Sequence, residues 1–169
     1  MKKLFVLLMI VTSMLLLFSC ATLELERIPE KFAITKTILC TEYPGGYQKY
    51  IENTTKQQPQ CKPMYIYFEF ENLTTEIDEN GEHIWLELSS RILDVKGNVV
   101  YQEPPITPKF YLQERADPRW ICYRNYPQNP RLNLQPGDYT FQFVIVDMYT
   151  EKGDSAKLNF TIIPCSKSI

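Results

Sequence analysis

A single histidine, His83, occurs in the 169 residues. That scarcity removes most histidine-based acid–base chemistry and most His-rich metal sites. The five cysteines, at 20, 40, 61, 122 and 165, contain no C-x-x-C spacing, so a zinc site has little footing. A basic excess is missing as well. Eighteen Lys and Arg stand against twenty Asp and Glu, a formal net charge of −2, which leaves no nucleic-acid footprint. G-x-S-x-G, S-x-x-K, P-loop and dinucleotide motifs are all absent. With no nucleophile–base pair to name, we expect a non-enzymatic chain without a cofactor. No repeat or low-complexity segment appears, and nothing after residue 31 has the period of an amphipathic helix.

What is present is apolar and aromatic. The hydrophobic fraction is 44% and the aromatic fraction 13%, with 11 Tyr and 9 Phe, a composition that favours strands around a core. Period-two alternation runs through 32–39, 64–72, 83–93, 98–102, 109–113, 139–148 and 157–163. It places Phe32, Ile34 and Ile38 on one face, then Ile66, Phe68 and Phe70, then Ile84, Leu86, Leu88 and Ile92. Phe141, Phe143 and Ile145 follow Tyr139, and Leu158, Phe160 and Ile162 close the series. Glu69 and Glu71 fall on the opposite face with Tyr65 and Tyr67, where a solvated surface explains them. The segments DVKG, DENGE and TEKGDS punctuate the strands as turns. His83 reads as a surface residue, and Asp78, Glu79 and Glu82 around Asn80-Gly81 read as a plain turn rather than a calcium loop. No metal is expected.

The N-terminus carries an address. Lys2 and Lys3 precede an apolar stretch from Leu4 to Phe18, the pattern of a secretory signal. The segment ends in Leu17-Phe18-Ser19-Cys20, which resembles the lipobox of bacterial lipoproteins. The resemblance implies that residues 1–19 are a signal peptide, helical as such segments are, and that Cys20 is the lipidated first residue of the mature chain. Ordinary cleavage around Ser19 and Ala21, or an uncleaved anchor, remain the alternatives. Ala21, where inner-membrane retention uses Asp, implies outer-membrane localisation in the cell envelope, with the bilayer a partner through acylated Cys20. Residues 20–31 read as a tether, 32–165 as one domain and 166–169 as a tail.

The stretch Leu134-Gln135-Pro136-Gly137-Asp138-Tyr139 resembles the tyrosine corner of immunoglobulin and fibronectin type III domains. There a Tyr at the start of the penultimate strand returns its hydroxyl to the backbone. The expected fold is therefore all-β, a single antiparallel Ig-like β-sandwich of about seven strands.

With Cys20 given to lipid, Cys40, Cys61, Cys122 and Cys165 are an even set of disulfide candidates. Alternating strand directions put all four at the end away from the tether. Sequence proximity favours Cys40–Cys61 with Cys122–Cys165, the other pairings staying open. The stapled stretch 119–131, RWICYRNYPQNPR, and its neighbour 40–61 read as loops. Arg119, Trp120, Tyr123, Arg124, Tyr126, Tyr43 and Tyr47 are the binding candidates, because rigid aromatics and Arg dominate interface hot spots. The competing expectation is that these side chains only plug the end of the sandwich. The function expected is presentation of these loops to an envelope protein or a glycan; the alternative is a structural or assembly subunit of a secretion or outer-membrane machine.

Overall fold

The computed structural model describes residues 31–113 and 117–165. The signal segment, the lipidation position Cys20, all but the last residue of the tether, and the tail lie outside the described residues. Ten strands and no helix occur among those described.

Three strands form the first sheet in the order β1-β3-β8: β1 is Ala33–Cys40, β3 Met64–Glu71 and β8 Trp120–Asn125. The second sheet follows the path β2-β10-β9-β5-β4. Here β2 is Gln57–Pro59, β4 Glu76–Asp78, β5 Gly81–Asp94, β9 Gly137–Asp147 and β10 Lys152–Ile163. β6 (Val99–Ile106) and β7 (Lys109–Tyr111) pair with the other edge of β5. All pairings are antiparallel except that of β2 with β10.

The sheets meet through the inward faces that alternation requires. Phe68 of β3 lies 4.3 Å from Phe143 and 6.1 Å from Phe141 of β9, ring centre to ring centre. Ile66, Phe68, Phe70, Ile84, Ile92, Phe141 and Ile145 are wholly buried. Burying each such side chain contributes about 1.5–3 kcal/mol. The turns at DVKG and DENGE fall where the sequence places them, whereas in TEKGDS the turn closes at 151 and Lys152 to Ser155 already belong to β10. At Asn80-Gly81, for example, Gly81 has φ of 116° and a Cβ there would stand 2.6 Å from Gln113 Nε2.

Four expectations are corrected. Ile38 does not share the core face with Phe32, because a bulge between Ile34 and Lys36 inserts an extra residue and shifts the alternation. Leu39 reaches the core instead. The candidate strand 109–113 joins the edge of β5, and the third strand of the first sheet is β8, within the stretch read as a loop. His83 is buried rather than on the surface: its Nδ1 faces the Gly81 carbonyl oxygen at 3.2 Å and its Nε2 the Tyr149 hydroxyl.

The fourth correction concerns the cysteines. One disulfide joins Cys61 to Cys165, while Cys40 and Cys122 are free thiols. The connection after β1 folds back so that β2 lies parallel to the end of β10, with Gln57, Gln58 and Pro59 opposite Thr161, Ile162 and Ile163. Cys61 and Cys165 therefore leave the sheet side by side, with Cα atoms 5.8 Å apart. Cys40 and Cys122 sit opposite Tyr65 and Tyr67, on strands that flank β3 from either side. Two strand spacings of about 4.8 Å exceed the reach of a disulfide.

Candidate functional site

Alternation gives β8 two faces. Ile121 and Tyr123 lie opposite Phe68 and Ile66 and turn inward; Trp120, Cys122 and Arg124 lie opposite Glu69, Tyr67 and Tyr65 and turn outward. On that outer face they meet the segment that follows β1. Residues 41–53 fold back over the sheet, held by Thr41 N–H to the Ile51 carbonyl (3.0 Å) and Asn53 N–H to the Leu39 carbonyl (2.8 Å).

Two groups of side chains result. Near the middle of the face, Tyr67 stacks on Trp120 at 5.8 Å and meets Tyr50 with tilted rings at 4.7 Å. The Tyr67 hydroxyl donates to Glu69 Oε1 at 2.9 Å, and Lys36 Nζ donates to the Tyr50 hydroxyl at 2.7 Å. The Tyr50 hydroxyl holds Lys36 above its ordinary pKa. Glu69 and Tyr67 are both buried, so this part of the face is covered, not solvated as the alternation alone suggested. Arg119 sits 4.0 Å over the Tyr47 ring, and its guanidinium is bidentate on Asp117 at 2.9 and 2.7 Å. These residues are satisfied locally, as a structural plug would be.

The second group is open. Tyr43 meets Tyr65 edge to face at 5.8 Å and is 57% exposed. The Arg124 guanidinium lies 5.9 Å over the Tyr65 ring and 5.7 Å over Tyr126, and donates to the Tyr126 hydroxyl at 3.1 Å. Tyr126 is 45% exposed. Among the described residues Arg124 has no carboxylate within salt-bridge distance. The face thus presents a cation held by two aromatic rings and, among the described residues, left without a counter-charge. Such a group is suited to a carboxylate, a phosphate or the polar edge of a sugar.

The structure brings Tyr43, Arg124 and Tyr126 together and places Arg119, Trp120 and Tyr47 beside them as support. Tyr123 is not part of the face. It points into the core, 4.8 Å from Phe141, and burial drives its phenol pKa upward. Sequence reasoning missed Tyr65, although its place opposite Ile66, Phe68 and Phe70 in the alternation already put it outside the core. The free thiols Cys40 and Cys122 are pushed up to about 11 and about 12 by burial and are inert as nucleophiles near neutral pH.

Asp78, in the turn considered for calcium, accepts the Asn80 N–H at 2.8 Å and the Tyr111 hydroxyl at 3.1 Å. Among the described residues no group of three or more His, Cys, Asp or Glu is arranged to hold a metal ion. No protein-family model and no curated protein matches the chain.

Proposed function

We propose that the chain is a lipid-anchored, non-enzymatic module of a bacterial cell envelope that recognises a protein or glycan through Tyr43, Tyr65, Arg124 and Tyr126. The observation that carries the reading is the exposed Arg124 guanidinium, gripped by Tyr65 and Tyr126 and free of any carboxylate among the described residues. An Arg whose rotamer is already restrained by stacking loses less entropy when a partner engages it.

The geometry of presentation supports the same reading. Ala33, where the tether enters, pairs with Glu71 at one end of the first sheet; Arg124 pairs with Tyr65 at the other. An anchor at Cys20 would therefore present the arginine–tyrosine face away from the outer membrane. The scaffold we assign is an Ig-like sandwich. Its support is the Tyr139 hydroxyl, which donates to the Gln135 carbonyl at 2.9 Å, and the strand sets β1-β3-β8 and β10-β9-β5, which match the A-B-E and G-F-C order of that fold.

A photo-crosslinking amino acid at position 43 or 126 in intact cells tests the proposal. Adducts from both positions, none from the more exposed control Ile77 on β4, and their loss in Arg124→Glu are expected. Equal labelling at all three positions, or adducts indifferent to Arg124→Glu, would overturn it.

A further inference from the structure

The first sheet is narrower than the second. Beyond β8 it has no further strand among the described residues, whereas β5 is flanked there by β6 and β7. Tyr101, Glu103 and Ile106 lie opposite Ile92, Ser90 and Leu88, so they share the inward face of β5. Between that overhang and β8 runs a groove of about 850 Å³. Its floor includes Leu88 and Phe143, and Ile121 and Tyr123 form a wall.

The edge of β8 that borders the groove carries backbone groups, those of Cys122 and Arg124, with no partner among the described residues. The Phe70 N–H donates to the Arg119 carbonyl at 2.8 Å, which fixes the phase of the ladder. Ile121, Tyr123 and Asn125 then exchange hydrogen bonds with Phe68, Ile66 and Met64. The N–H and C=O groups of Cys122 and Arg124 point the other way, and β3 is the one strand that β8 pairs with among those described.

Charge narrows the occupant. Arg124, Arg131 and Lys109 line the groove against Glu103, whose oxygens already accept from Ser90 (3.3 Å) and Tyr101 (3.1 Å). Lys109 has Asp78 at 4.0 Å; Arg124 and Arg131 have no carboxylate among the described residues.

We infer that an extended peptide segment, apolar on the side facing the groove and acidic on the other, adds as a strand to β8 at Cys122–Arg124. This deepens the proposed recognition role and rests on it, since Arg124 serves both. Main-chain pairing at an edge supplies affinity, and side chains in the groove supply selectivity. Only an extended backbone repeats donors and acceptors at the spacing of Cys122 and Arg124.

The test uses the protein with the acetylated, amidated peptide Ser-Glu-Val-Glu-Val-Glu-Val-Glu-Ser, followed by NMR and amide hydrogen exchange. Binding at or below about 1 mM is expected. The Cys122 and Arg124 amides should exchange quickly in the free protein and slow on binding. N-methylation across the central five residues of the peptide should weaken binding by about tenfold or more, because the ladder is lost while the side chains remain. Arg124→Glu, an exposed change that spares the core, should weaken it as well.

No binding at that concentration overturns the inference. So does binding that is indifferent to N-methylation, which is side-chain capture. Protection of both amides before peptide is added, rising with protein concentration, also overturns it and assigns the edge to a second copy. If these fail while crosslinks from positions 43 and 126 persist, strand addition alone is lost and the recognition face stands.

Discussion

The Tyr67 hydroxyl accepts the backbone N–H of Gln48 at 2.8 Å, tying the covering segment 41–53 to the middle strand of the first sheet. The same hydroxyl donates to buried Glu69. Tyr67→Phe keeps the ring and its contacts with Trp120 and Tyr50 but takes this partner from the Gln48 N–H and from Glu69 Oε1. The expected cost is about 1–3 kcal/mol in urea unfolding, with faster amide exchange at Gln48 than at Phe68. An unchanged midpoint would mean that the covering segment is held by backbone pairing alone.

The Cys61–Cys165 bridge closes a separation of 104 residues that holds every strand from β3 to β10. On the chain-entropy view it contributes roughly 4–5 kcal/mol, and loss of a native bridge in small domains costs about 2–5 kcal/mol. Cys61→Ser with Cys165→Ser should therefore lower stability by an amount in that range, while Cys122→Ser should not reproduce the loss. Equal losses from the two variants would contradict the pairing.

Tyr139→Phe removes the hydrogen bond to Gln135 while leaving the ring on Phe160 at 5.9 Å. A loss of about 0.5–1.5 kcal/mol is expected, in line with one hydrogen bond. No measurable loss would remove the corner's energetic role.

Alkaline pH should weaken the fold in a defined window. Burial raises the folded-state values of Cys40 and Cys122 from 9.0 to about 11 and about 12, so the native chain holds those protons more tightly than the unfolded one. The stability this supplies is complete below about pH 9 and is lost as pH climbs through the folded values. Tyr123 adds in the same direction. Comparing urea midpoints at pH 8 and at about pH 10.5 checks it: the fall should be smaller in a Cys40→Ala, Cys122→Ala variant, and an equal fall would assign the effect elsewhere.

How much of this was legible in the sequence depended on contrast between two faces. Alternation worked where one face is core and the other wet, as in β5, β9 and β10, whose buried apolar residues are those the alternation names. It failed at β8, because Trp120, Cys122 and Arg124 on one side alternate with Ile121 and Tyr123 without a polar-to-apolar contrast, and all but Arg124 are half-buried. The reason is the segment 41–53, which covers the outer face and erases the polar signal; the same cover buries Glu69. The bulge in β1 and the return of β2 onto β10 are tertiary choices that no local spacing records, and the second of these decided the disulfide. The arginine–tyrosine face was legible in part: Tyr43, Arg124 and Tyr126 stood out by composition, while Tyr65 was hidden within a strand.

An envelope-anchored, singly stapled domain is the central claim, and the intact mass of the native, detergent-extracted protein tests it most directly. The protein is alkylated under denaturing conditions before and after reduction. The expected mass begins at Cys20 with acyl chains attached, carries two alkyl groups before reduction at Cys40 and Cys122, and four after it. A chain that begins at Thr22 without lipid, or four groups added before reduction, would contradict it.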